Sequence, residues 1–167
     1  DVEQQLTVYT EDVEREFRLR LADIDNVLHG LESRGITVTG YAVEIGGVAA
    51  AGRDLQAVER NPVRSPDPRA AEGMVERIER ARREKDSVGG VVEVMVRNLP
   101  PGLGEPVFDK LEARLAHAVM SIGAVRGFEV GAGFAAARMT GSEFNDPYYM
   151  EGDAVRTRTN HAGGVLG

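Results

Sequence analysis

Apolar side chains recur at three- and four-residue steps in three stretches of this chain and alternate in several shorter ones. In Asp12 to Arg34 the repeat is Val13, Phe17, Leu21, Ile24, Leu28 and Leu31, which predicts a helix with Thr10 as N-cap and Gly35 as its stop. Pro68 to Lys85 carries Ala71, Met74, Val75, Ile78 and Ala81 on one face. Asp67-Pro68 before it reads as an N-cap followed by a proline in the first turn, where the missing N–H costs nothing. The third stretch runs from Pro106 to Ile122, with Val107, Phe108, Leu111, Leu115, Val119 and Ile122 in register and Gly123 as the stop. Each of these stripes needs a surface to bury against, because packing of the apolar face supplies most of a helix's stability.

Between the helices the pattern turns to strands. Ile36 to Ile45 changes phase at Gly40, which predicts a β-bulge there, and Val91 to Arg97 alternates around an isolated Glu93. Ala124 to Val130 and Phe134 to Thr140 flank Gly131-Ala132-Gly133 and read as a hairpin. Leu6 to Thr10 is a short strand-like run. Residues 49–69 form a loop with one helical turn at Asp54 to Glu59, since Pro62, Pro66 and Pro68 forbid longer regular structure. Gly141 to Arg158 is polar and loop-like, with Tyr148-Tyr149-Met150 as a docking point. Helices interspersed with hairpin-connected strands argue for an α+β fold.

Composition narrows the function classes. The 167 residues make one ordinary domain, with 20 Lys and Arg against 27 Asp and Glu and a formal charge of −7. That balance argues against duplex nucleic acid as a partner, and 5% aromatics without tryptophan leave little for base stacking. Without cysteine there is neither a disulfide framework nor a thiolate metal site. No apolar run approaches the roughly 18 residues of a membrane span, and no signal peptide is visible, so the expectation is a cytoplasmic protein without a membrane partner. The chain opens on Asp1 and stops inside a glycine run, as a piece of a longer chain would. His29 reads as a surface or partly buried residue with no metal-ligand set in register with it, and His117, off the main apolar stripe, as a structural histidine.

The glycine-rich end, His161 to Gly167, suits close approach of backbone to a ligand, although turns and tight packing explain most such runs. It lacks the spacing of a dinucleotide or phosphate loop. Its wording is more specific than its spacing. GLGEPVFDKL at 102–111, LAHAVMSIGAVRG at 115–127, GSEFND at 141–146 and TNHAGGVLG at 159–167 together resemble the chorismate synthase family, in order and at the family's spacing. The resemblance divides the chain into a weakly matching 1–35 and a central family-like part, 36–167.

That resemblance implies a sandwich of helices and antiparallel sheets, a typically tetrameric homo-oligomer, and a lyase of the shikimate pathway. The family acts on a small-molecule phosphate, 5-enolpyruvylshikimate 3-phosphate, by a 1,4-elimination that needs reduced FMN, with NADPH as one source of the reducing equivalents. It also implies FMN contacts at Gly123 and Ala124, where the family has Asn-Ala, and at Gly167. Ala132 departs from the family's Gly-Asp-Gly turn, and only Arg15-Glu16 survives of a flavin-contacting stretch, so no contact is carried onto it. The stretches that hold the family's two acid histidines have no counterpart here, and none of His29, His117 or His161 matches them. The expected outcome is an isolated chain that does not catalyse. Two other readings stay open: a non-enzymatic oligomerisation scaffold, and a small-ligand module using the glycine-rich end.

Overall fold

The computed structural model describes residues 26–166, which belong to two compact units divided between Leu99 and Pro100. The strand-like run at 6–10 and the first part of the Asp12 to Arg34 helix lie outside the described residues.

The first unit opens within a helix, α1, at 26–32. It ends as the glycine demanded: Gly35 takes φ +75°, its N–H donates to Glu32 O at 2.8 Å, and the Ile36 N–H reaches back to Leu31 O at 3.0 Å. These two bonds form a Schellman cap. The chain then enters β1 (Thr37–Ile45), a short β2 (Val48–Ala49), a 3-10 helix (Leu55–Arg60), α2 (Pro68–Glu84) and β3 (Gly90–Arg97). The sheet order is β2-β1-β3, all antiparallel, and α2 packs on β1 and β2. The register shifts between Ala42 and Glu44, so the bulge lies at Val43; Gly40 pairs regularly with Val94. The phase change was legible from the sequence, but its place was not, because a small residue at one position marks a bulge only loosely.

The buried side chains of this unit include Tyr41 of β1, Ala57 and Val58 of the 3-10 helix, and Ala71, Met74 and Ala81 of α2, with Tyr41 and Met74 among the largest fully buried ones. The α2 N-terminus forms as its sequence predicts. Asp67 accepts from Arg69 N at 3.0 Å and Ala70 N at 3.3 Å through one carboxylate oxygen. Its other oxygen accepts from Ala51 N and Gly52 N at 3.0 and 2.9 Å, tying the preceding loop to the helix. These amides, the Gly52 N–H foremost, hold the Asp67 carboxyl below the usual range. Glu93 has a structural explanation: it accepts from the Tyr41 hydroxyl at 2.6 Å and from the Arg53 guanidinium.

The second unit departs from the expected helix and hairpin. Helix α3 covers only Leu111–Met120. Val107, placed in the first turn by the periodicity, sits at φ +66°, outside any right-handed helix. Residues 104–110 instead close on themselves, with Glu105 N donating to Asp109 O at 2.8 Å and Gly104 bridging to Lys110. Leu115 is 43% exposed and Phe108 88%, so the stripe does not line a core among the described residues. No strand forms at 124–130 or 134–140; the second stretch is a 3-10 helix (Gly133–Arg138). Period-two alternation over six or seven residues was too weak a signal to exclude this. The 141–158 stretch is structured instead: α4 (Gly141–Phe144), then a hairpin of β4 (Tyr148–Glu151) and β5 (Ala154–Thr157). Its two-residue Gly152-Asp153 turn has φ +61° at Gly152, as a II′-type turn requires.

Candidate functional site

The second unit is organised around one carboxylate. Among described residues 100–166 the single fully buried side chain is Asp146, 5% exposed. It follows α4, whose start is fixed by a reciprocal capping box: Thr140 N donates to a Glu143 carboxylate oxygen at 2.7 Å while the Thr140 side chain accepts from the Glu143 amide. From that position Asp146 accepts from the Thr159 hydroxyl at 2.5 Å, His161 N at 2.8 Å and Ala162 N at 2.9 Å. The Thr159 hydroxyl first, and the Ala162 and His161 amides after it, keep the carboxyl below the ordinary aspartate range against the opposing effect of burial.

The His161 ring is fixed by the same cluster. Its Nδ1 lies 3.2 Å from Phe144 O and 3.7 Å from an Asp146 oxygen, and its ring stacks on Phe144 with centroids 6.2 Å apart. A carbonyl oxygen only accepts, so Nδ1 carries the proton of that bond. Ala132 N donates to His161 O at 2.7 Å, which brings the 128–133 loop against the glycine-rich turn.

The glycines of this turn divide into two kinds. A Cβ on Gly131 would lie 2.1 Å from His161 O, and one on Gly163 would lie 2.6 Å from Gly131 N. Both positions are required for backbone to pack on backbone. Gly164, at φ +79°, has nothing within 4 Å of where a Cβ would sit. Its open side is where a ligand could approach.

Of the sequence-predicted contacts, Gly123 and Ala124 lie in the turn that follows α3, and Gly167 lies outside the described residues. The turn is closed by Val125 N donating to Ile122 O at 3.3 Å. Gly123 has open space at its Cβ position, and Ala124 takes φ +69°. No recorded hydrogen bond among the described residues joins this turn to the Asp146 cluster. His117 is exposed on α3, and no group of three or more His, Cys, Asp or Glu side chains among the described residues is placed to hold a metal. Sequence reasoning missed Asp146 as a centre. Two signals were available: Thr140-x-x-Glu143 is a capping-box pattern, and an Asp before Pro147 favours a turn.

An α+β chain with a carboxylate-pinned, glycine-rich turn meets known proteins at this point. A model of the chorismate synthase family matches residues 19–167, further toward the N-terminus than the motifs alone reach. The chain belongs to the chorismate synthase family. It is 54% identical over 141 residues to the chorismate synthase of Methanosarcina mazei, covering 82% of this chain and 39% of that protein. The chorismate synthase of Akkermansia muciniphila is 60% identical over 111 residues, 66% of this chain and 31% of that one. A solved structure, a crystal structure of chorismate synthase, superposes with a TM-score of 0.73 at 30% identity over 81% of this chain and 46% of the other. The chain thus spans about two fifths of the length of curated relatives such as the M. mazei protein. No helix among the described residues is long and apolar enough to cross a membrane.

Proposed function

We propose that this chain is the central part of a chorismate synthase, the lyase that eliminates phosphate from 5-enolpyruvylshikimate 3-phosphate with reduced FMN. The observation that carries the reading is 54% identity over 141 residues to a protein named for that activity. When bound, reduced flavin supplies the electronic chemistry of the elimination without net redox change, with NADPH as a source of its electrons.

The residues present fit part of a flavin site. Gly123 and Gly164 leave open space where side chains would stand, so a planar ring or a phosphate can reach their backbone. Gly123, Ala124 and Gly167 are the family-matched contacts, and the pinned 159–164 turn lies just before the last of them in the chain. Gly131 and Gly163 are excluded as contacts because they fill each other's space. His161 holds its Nδ1 proton toward Phe144 O and is not assigned as an acid. The chain alone binds flavin and does not complete turnover. Its compartment is the cytoplasm, and the assembled protein is a homo-oligomer acting on a small phosphate, without nucleic acid.

Fluorescence titration of FMN tests this directly. Saturable quenching, together with phosphate release from 5-enolpyruvylshikimate 3-phosphate no faster than a flavin-only control, is the expected result. Turnover above that control would overturn the claim that the acids are missing. A second reading, an oligomerisation scaffold, is favoured by exposed Phe108, Phe134 and Ile122. It predicts self-association without flavin binding, whereas a general ligand module would bind without preferring flavin.

A further inference from the structure

A carboxylate is an unusual centre for a region of 67 described residues, and the chemistry of its donors is informative. All three hydrogen bonds to Asp146 come from one short stretch, Thr159 to Ala162. Directly after that stretch come Gly163 and Gly164, at φ +67° and +79°. Two consecutive glycines have the largest conformational freedom a dipeptide can have, and ordering them when a ligand arrives weakens binding. An anchor on the residues immediately before them moves that ordering into folding.

We propose that Asp146 is a positioning residue: it presets the backbone of 159–164 so that the open side of Gly164 is ready for the flavin. The inference rests on the flavin reading above. Only an ionised carboxylate suits the task. Its two oxygens accept all three donors at once, whereas an Asn in the same place offers one acceptor oxygen and turns an NH2 group toward an N–H. The carboxyl's preference for its ionised form agrees with this. The fixed His161 ring contributes by occupying Phe144 O, so the imidazole does not compete with its own amide for the carboxylate. The contact of Gly131 with Gly163 closes the other side of the turn.

The test uses the 167-residue chain, with amide exchange and FMN titration read together. Asp146→Asn is expected to speed exchange at His161 and Ala162 by about tenfold or more, since bonds to a charged acceptor are the stronger kind. Amides of α2 and β1 should be unaffected. FMN affinity should weaken by a similar factor. Thr159→Val removes one donor and should give a smaller effect of the same sign, while Thr159→Ser, which keeps the hydroxyl, should restore both readouts. If Asp146→Asn fails to fold, the Thr159 pair decides alone, because it leaves the carboxylate in place. Unchanged exchange in these variants overturns the inference. Faster exchange with unchanged FMN affinity also overturns it, leaving Asp146 as a purely structural residue. Faster exchange in a chain whose wild type binds no FMN supports the presetting of the turn and sinks the flavin reading instead.

Discussion

Residues 26–99 and 100–166 are built on opposite principles. Every fully buried apolar side chain among the described residues lies in the first, from Ile36 to Ala81; the one fully buried side chain of the second is Asp146. Both regions contain an amphipathic helix with a regular stripe. The α2 stripe lies over β1 and β2, whereas the α3 stripe has no buried member. A stripe is therefore a demand for a partner, and only the rest of the fold decides whether it is met. The second region is held by polar pins: a capping box, a buried carboxylate and two interlocked glycines.

The sharpest test of this contrast is a pair of truncations. Met74→Ala, at a side chain with 0% exposure, should cost about 2–5 kcal/mol by lost transfer energy and the cavity left behind. Leu115→Ala, which the sequence pattern alone would rank beside it, should cost under about 1 kcal/mol, because 43% of the residue is exposed already. Urea unfolding of both variants measures the difference. Equal losses would show that α3 is buried against a surface comparable to that beneath α2.

The next effect belongs to the second region. Gly131→Ala places a methyl 2.1 Å from His161 O at a residue with φ +60°, so either the 128–133 loop or the glycine-rich turn must move. Overpacking against backbone should cost about 1–3 kcal/mol. Loss of amide protection at Ala132, whose N–H reaches His161 O, is the local readout. Retained protection would mean that the two loops are not interlocked.

A smaller effect concerns the cluster of Tyr41, Glu93 and Arg53 in the first region. The Arg53 guanidinium, and after it the Tyr41 hydroxyl, hold the Glu93 carboxyl below its usual range. A depressed carboxylate stabilises the fold above its unfolded pKa, and that stability is lost as pH falls through the folded value. Asp67 contributes with the same sign through its backbone donors. Glu93→Gln should therefore flatten, without abolishing, the acid-side loss of stability below about pH 4.5. With the side chain 36% exposed, the change is about 0.5–1 kcal/mol at neutral pH. An unaltered pH profile would show that the pair is solvated away.

How much of this was legible follows from where the signal was local. The end of α1 at Gly35 and the Asp67-Pro68 start of α2 announce themselves within a few residues and form as read, and the strand read at 91–97 forms with one residue more, from Gly90. The start of α3 was misread because Pro106 also suits a loop, and Val107 at φ +66° is a conformation that no propensity favours for a β-branched residue. The β4–β5 hairpin was missed because its strands are four residues long and carry Glu151, Arg156 and an acidic turn, a pattern that reads as polar loop. For the candidate site, two of the family motifs, 141–146 and 159–167, contain the residues that meet at Asp146. The role of Asp146 depends on contacts 13 to 16 residues away, which no local pattern encodes.

The smallest predicted change is a gain. The turn after α3 runs from Ile122 to Val125, with Gly123 second and Ala124 third. A positive φ at the third position is the type II pattern, where glycine is preferred, yet here Ala124 takes φ +69° and the glycine stands one place early. An L-residue in that conformation costs about 1–2 kcal/mol. Replacing it with glycine returns about 0.4–1 kcal/mol of that to the unfolded chain as entropy. Ala124→Gly should therefore stabilise by under about 1 kcal/mol in urea unfolding, and a loss would mean that the methyl makes a contact worth more than the strain. Gly123→Asn is the matching control, since its Cβ has open space and its φ is not positive; it should be neutral to within about 0.5 kcal/mol. Reading FMN affinity in the same two variants separates packing from function. If Ala124→Gly gains stability while weakening flavin binding, the strain in the turn is retained for the ligand, as strained backbone at a binding site would be. If both quantities improve together, the turn is an unoptimised connection, and Ala124 should be struck from the cofactor contacts.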